Sequence, residues 1–381
     1  MSEKKSLLVD KSKMPLAMGL AFVAFTTQFG GGFASGAQIY QYFINYGIWC
    51  LILPLVTQGL YALFFWYGMR YAYKHKTYDY RSFSDSMYGK TRHVMSNLYE
   101  ICYLIMIGTA SAAAFATGGS TLQTLFGIPY WVCTLIIAAF IFFIALYGTN
   151  VVRKCASTLS VLIIIGLVLV LVPNIIAQWG DISANISASM ANPAPFGKAL
   201  WIGFVYAAFQ LASIGLLVQH AKPFASPDDA KTSMVQGFFV NVLICLMAVV
   251  GLMAIANDPN FATESIPLLI LVNRGVAPGV LRPIISILIV LGSVSTAVNM
   301  IAGMSNRVCS SLDKNFDPTA KPGVKVIVVT LICTVVAFGI AQLGLNKIVA
   351  VGYKYLGYLT IPVIMIPYLV HMAATKFDTK D

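Results

Sequence analysis

Residues 26–38 read TTQFGGGFASGAQ. They sit inside an apolar run, about 14–44, that would otherwise form one continuous helix. Gly30, Gly31 and Gly32 are consecutive, and Gly36 follows one turn on. A glycine weakens a helix interior by about 1 kcal/mol relative to alanine, so three together predict a break. A break frees backbone N–H and C=O groups. In hydrocarbon such groups are tolerated only where they face protein or line a cavity.

The rest of the chain says that hydrocarbon is the setting. Of 381 residues, 58% are hydrophobic and 10% charged, with a mean hydropathy of +0.79. A soluble domain carries about a quarter charged residues. Ten spans are predicted, approximately 14–44, 48–73, 95–126, 129–147, 155–178, 198–220, 232–256, 280–305, 324–343 and 347–373. Each approaches or exceeds the roughly 20 residues that cross a bilayer as a helix. Because lipid offers no partner to backbone polar groups, ten such spans must form an all-α polytopic bundle. The reading is a single transmembrane domain over 1–381, with tails at 1–13 and 374–381 and no soluble domain. The longest loops lie near 74–93, 179–197, 257–279 and 306–323. A short interfacial helix is expected within 74–93, and a short helix that does not span within 257–279. At FASPDDAK a helix is expected to start, with Ser226 as cap, Pro227 in the first turn, and Asp228 and Asp229 on the positive end of the dipole.

The formal charge is +11, and its placement explains it. All but five of the 25 Lys and Arg fall on one side of the predicted topology. The exceptions are Lys198, Arg274, Arg282, Lys347 and Lys354. The positive-inside rule then places both termini in the cytoplasm, in a plasma (inner) membrane. The charge is topological and implies no nucleic-acid partner. The seven cysteines, Cys50, Cys102, Cys133, Cys155, Cys245, Cys309 and Cys333, have no CxxC spacing and read as buried thiols. No cleavable signal peptide is expected, since the first apolar run is too long. There is no HExxH, GxSxG or P-loop, and the four histidines (His75, His93, His220, His371) lie at predicted membrane boundaries or in loops. An enzyme finds no support. Nor do the glycines make a dinucleotide fingerprint, which needs a strand before them.

A second interruption gives the first its meaning. The sixth span, WIGFVYAAFQLASIGLLVQH (201–220), carries Gln210 and Ser213 at its middle and then Gly215. Glycine alone in a membrane helix also serves close packing. Spans one and six, however, are five apart. Five is odd, so two sets of five would run in opposite senses: a first repeat at about 14–178 and a second at about 198–373. Inverted repeats, each led by a broken helix, place a binding site at the bilayer midplane. Unwound carbonyls there suit cations, and half-helix N-termini suit anionic groups.

The stretch FGGGFASGAQIYQYFINYG (29–47) resembles the opening of the YkvI-like bacterial membrane proteins. These belong to the amino acid–polyamine–organocation superfamily, with the LeuT-type fold of five plus five helices and discontinuous first and sixth helices. In sodium-coupled members an ion lies between the broken first helix and the eighth. Carried over, the resemblance implies a Na⁺ site from the carbonyls of Thr26, Phe29 and Gly292 and the hydroxyls of Ser295 and Thr296, in ILIVLGSVSTAVNMIAGM (287–304). The implied substrate wall is Gln28, Gly30, Gly31, Phe33, Ala34, Tyr103, Phe209, Gln210 and Ser213. With no acid or arginine among these, a small zwitterion fits better than a multiply charged solute. Taken singly, each aromatic among them serves as well for packing, and Ser295 and Thr296 as well for bonds to their own helix.

Two charges stand apart. Glu100, in SNLYEICYLIMIG (96–108), is the one acid placed to sit at depth. It is either a coupling group or an interfacial carboxylate paired with a cation such as Arg70 or Arg92. Lys354, in VGYKYLGYLTIP (351–362), is either part of an outer gate that could hold a carboxylate or a snorkelling lysine. The sequence thus reads as a secondary transporter of a small, amino-acid-like solute, driven by Na⁺, with no other cofactor. A proton-coupled carrier of a small amine or nucleobase-like solute, and a non-transporting nutrient receptor of the same fold, are the alternatives. Oligomeric state is not encoded legibly.

Overall fold

The structure is a computed structural model, and it describes residues 15–28, 30–147, 149–313 and 321–378, without the side chains of 149–157. Every regular element among them is helical. Seven helices are long and apolar enough to cross a membrane, and two bent pairs bring the number to nine. The interrupted first segment makes ten: Leu16–Gln28, then Gly31–Ser35 and Ala37–Tyr42.

Span two is Leu53–His75, bent by 77° from the turn Ile44–Leu51 before it. The short helix Tyr80–Tyr88 follows, capped by Asp79, whose carboxylate accepts the N–H groups of Arg81 and Ser82. Span three is Arg92–Phe126, span four Tyr130–Tyr147 and span five Thr149–Ala177. Span six is bent by 41° between Phe196–Leu211 and Ile214–Ala221. Spans seven, eight and nine are Asp228–Met253, Pro278–Leu312 and Val324–Ala341; span ten runs over Leu345–Ala374.

Three local expectations resolve differently or in more detail. The loop at 179–197 contains a helix, Trp179–Ala191, anchored where Asn185 Nδ2 donates to the Met253 carbonyl at 2.7 Å. Span seven begins at Asp228, but Ser226 does not cap it; Asp229 reaches back to the N–H groups of Ala225 (2.7 Å) and Ser226 (3.4 Å). The Asp229 carboxylate, a stronger acceptor than a hydroxyl, thereby fixes the backbone just ahead of the helix. In the loop between spans seven and eight the short helix is Pro267–Arg274.

Span three is the axle of the bundle, packed against spans four, eight and nine and against the short helix Gly31–Ser35. Its middle, TASAAAFATGGST (109–121), is built of small side chains, nearly all buried. Small residues allow close helix approach where lipid supplies no hydrophobic drive. Span one lies against seven, seven against two, and the first half of six, Phe196–Leu211, against two and ten. The six cysteines whose side chains are described are free and buried.

Candidate functional site

Leu16–Gln28 ends one residue before the described chain resumes at Gly30. Gly30 is extended (φ −70°, ψ 176°) and turns its carbonyl to the N–H groups of Phe33 and Ala34, both at 3.0 Å. The chain breaks again at Gly36, whose φ of 91° is left-handed. Ser35 bridges this second break: its hydroxyl donates to the Gly32 carbonyl (3.0 Å) and accepts the Ala37 N–H (3.1 Å). Gly31 has a separate reason to be glycine. A Cβ there would stand 2.8 Å from both the Ala113 carbonyl oxygen and Ala114 Cα of span three.

In span six the break falls at Ala212 and Ser213. The Ser213 hydroxyl folds back to the Gln210 carbonyl at 2.7 Å. The freed N–H of Gly215 is taken by the hydroxyl of Tyr99, a fully buried residue of span three, at 2.8 Å. The same hydroxyl faces the Ala212 carbonyl at 3.5 Å. Span three therefore supports both breaks, with its backbone at one and a phenol at the other.

Between the two breaks lies a cavity of about 30 Å³. Gln28, Gly30, Phe209, Gln210 and Ser213 line it, all five anticipated from the sequence. A cavity of this size holds a water molecule. Two lining residues carry a buried side-chain atom outside hydrogen-bond geometry: Gln28 Nε2, a donor beside the Tyr61 hydroxyl, and Gln38 Oε1, an acceptor. Both residues are at most 7% exposed. Among the described residues no charged side chain borders it.

A larger chamber of about 320 Å³ opens toward the end that carries Tyr80–Tyr88. Tyr103, Thr26 and Ser295 line this chamber, and Thr27, Thr296 and Met300 border both spaces. Thr26 Oγ1 accepts from Ser160 Oγ of span five at 3.3 Å. On the opposite side the cavity is sealed. Phe209 stacks on Tyr353 with centroids 4.7 Å apart and planes 5° from parallel. Tyr42 donates to the Val349 carbonyl at 3.0 Å, and Tyr206 meets Tyr42 edge-on at 5.2 Å. Access is thus from one side only.

The remaining anticipated residues fall elsewhere. Gly31, Phe33 and Ala34 are buried but line neither space. Gly292 is buried in span eight and borders neither. Phe29 lies outside the described residues. Glu100 sits in an ion cluster with Arg307 (Nε at 2.9 Å) and Arg81 (Nη1 at 3.2 Å), and not with Arg70 or Arg92. Lys354 lies 6.0 Å from the Tyr358 ring and borders neither space. Its neighbour Tyr353 faces the cavity instead. The wide turn over Ile348–Tyr353 shifts the helical register just before it, which a sequence pattern does not reveal. Thr27, Gln38, Met106, Ala110 and Met300 also line the cavity unanticipated. Gln38 had a signal, a second amide within one apolar span. Met106 and Ala110 had another, lying three and seven residues beyond Tyr103 on the same helix face.

Solved structures resemble this arrangement over nearly the whole chain. The manganese transporter of Eremococcus coleocola, in complex with an aromatic bis-isothiourea compound, matches with a TM-score of 0.59 and 14% identity, over 100% of this chain and 93% of that one. A variant of the same transporter gives 0.58 and 15% identity, over 97% and 81%. A Na⁺-coupled sialic acid symporter in a substrate-bound, outward-open state gives 0.60 and 12%, over 92% and 79%. The fold is a transporter fold. By sequence, no family model matches the chain and no curated protein does. Broken first and sixth spans around a midplane cavity are what the LeuT-type reading required. Among the described residues no three His, Cys, Asp or Glu side chains cluster as metal ligands.

Proposed function

We propose that this protein is a secondary active transporter of a small neutral or zwitterionic organic solute, amino-acid-like in chemistry and coupled to Na⁺ by alternating access. The observation that carries this reading is the cavity between the two breaks, lined by Gln28, Gln38, Gln210 and Ser213 with no charged residue among its described lining. Leaving a buried donor or acceptor unmade costs about 1–3 kcal/mol. A solute offering both acceptors and donors can pair with these amides and the hydroxyl. A multiply charged one would find no counter-ion.

Hydroxyls support Na⁺ as the driver: Thr26, Ser295 and Thr296 share the chamber wall immediately beside the cavity. The lining suits a divalent metal poorly. The cavity's described lining offers amides, hydroxyls and thioethers and not the carboxylates that hard divalent cations favour, and Asp79, on the adjoining chamber, is turned to the N–H groups of Arg81 and Ser82. The pairing of Glu100 with two arginines speaks against a free proton carrier there. The YkvI-like resemblance supports the same class of function, with repeats over about 14–178 and 198–373. The basic residues place both termini, and the open chamber, on the cytoplasmic face of the plasma membrane.

Reconstituted protein is expected to take up such a solute with NaCl outside and not with choline chloride. Replacing Ser295 and Thr296 together by alanine should remove the Na⁺ dependence. Unchanged Na⁺-driven uptake in that variant would sink the assignment of the ion site. Thermal stabilisation by a solute without any uptake would make the protein a receptor.

A further inference from the structure

Spans two and seven leave a second, quite different space between them: a groove of about 420 Å³ on the lipid-facing side. Gly59, Ala62 and Trp66 form one wall, and Met234, Phe238 and Phe239 the other. Gly59 gives it depth, since Phe238 is the nearest atom group to the missing Cβ, at 3.8 Å. Phe239 is 65% exposed along the rim, the side the bilayer would cover.

One charged side chain lines the groove, Lys231, and it stands at one end. Arg70 stands at the same end, its guanidinium 6.0 Å from the Trp66 ring centroid. Neighbouring acids are otherwise engaged. Asp229 is turned to the start of span seven, and Asp378 faces Lys74 at 3.8 Å and His75 at 3.2 Å. Asp228, on the first turn, is exposed to water. Arg70 donates only to the backbone carbonyl of Asp378, at 3.5 Å. Among the described residues neither Lys231 nor Arg70 has a carboxylate within ion-pair distance.

We propose that this groove binds an anionic phospholipid, one acyl chain lying along Gly59 and Phe238 and the phosphate held between Lys231 and Arg70. The dimensions agree. From Lys231 to Phe239 a helix rises about 12 Å, close to the ~15 Å of one leaflet's hydrocarbon. Two unneutralised cations at the headgroup level attract an anionic lipid, and a snorkelling lysine alone would need no groove.

The test measures the melting temperature of the purified protein in detergent with added phosphatidylglycerol, phosphatidylcholine of the same chains, or glycerol phosphate. Phosphatidylglycerol is expected to stabilise most and glycerol phosphate not at all. Lys231→Gln, an exposed position, should weaken the phosphatidylglycerol preference roughly fivefold, and Arg70→Gln by a similar factor. Gly59→Leu, which fills the groove, should reduce the effect of both lipids. Should Arg70→Gln fail to fold, native mass spectrometry of the wild-type and Lys231→Gln proteins decides, through enrichment of bound phosphatidylglycerol in the first and its loss in the second. Equal stabilisation by the two lipids, a full effect of glycerol phosphate, or an unchanged preference in Lys231→Gln would overturn the proposal. So would a Gly59→Leu variant that splits a dimer while its lipid response stays the same, because the occupant would then be a second copy of the chain.

Discussion

Span one leaves the helix at Gly30, where the backbone is extended, and again at Gly36, at φ 91°, whereas span six passes its break at Ala212 and Ser213 with near-helical dihedrals of φ −57°, ψ −25° and φ −83°, ψ −2°. The first break is written into the local chain, in residues that helices reject. The second is a bend of 41° that depends on a partner, because the Gly215 N–H it frees is satisfied by Tyr99 of span three. A binding site between them therefore has one wall fixed by sequence and one held by tertiary contact. The two should fail differently.

Gly31→Leu should have the largest effect. Its side chain would be driven into the backbone of span three, which cannot yield as a side chain can. Overpacking of this kind costs about 1–3 kcal/mol and more where backbone must move. We expect loss of monodisperse protein on size-exclusion chromatography. Gly30→Ala is the control, since a Cβ there meets only Thr296 Cγ2 at 3.7 Å and φ is negative. Equal thermal stability of Gly31→Ala and Gly30→Ala would remove the close approach from the account.

Tyr99→Phe comes next and tests the other break. It leaves the Gly215 N–H buried and unmade, at about 1–3 kcal/mol. A lower melting temperature with a parallel loss of uptake is expected; an unaltered protein would mean that span six bends unaided. Gly36→Ala should cost about 1–2 kcal/mol through the left-handed backbone. Glu100→Gln should lower stability by about 1 kcal/mol or less, as the pair is partly exposed, and leave the pH profile of uptake where it was. A displaced profile would restore Glu100 as a coupling group. The smallest effect belongs to Lys354→Gln, about 0.5 kcal/mol for a cation over Tyr358 near the surface.

The same contrast explains what the sequence could reveal. Composition and hydropathy declared the helical bundle and its ten crossings, because they are sums over many residues. The glycines declared the first break, and Gln210 with Ser213 marked the second. Five residues named for the cavity do line it. Gly31, Phe33 and Ala34 do not, because a helix break sets direction only locally and Gly31 turned toward span three. Tyr353 was hidden behind Lys354 by a wide turn, and Tyr99 by a hydrogen bond across 116 positions of chain. Charge drew the eye to Glu100 and Lys354, and the fold gave both to surface pairs. Shape decided where sequence offered only residue type.

Span ten touches the first half of span six closely: a Cβ on Gly357 would stand 2.6 Å from the Val205 carbonyl oxygen and 2.7 Å from Val205 Cγ1. Two rods meeting this closely at one point can roll about it, yet any tilt apart opens a gap beside it. Directly above, Phe209 and Tyr353 lie as flat plates, one on each rod. Plates stacked in this way resist separation but offer little friction to shear. The closure on this side of the cavity is in mechanical terms a slide bolt, and a bulky residue at 357 would jam it without touching the chemistry of the cavity.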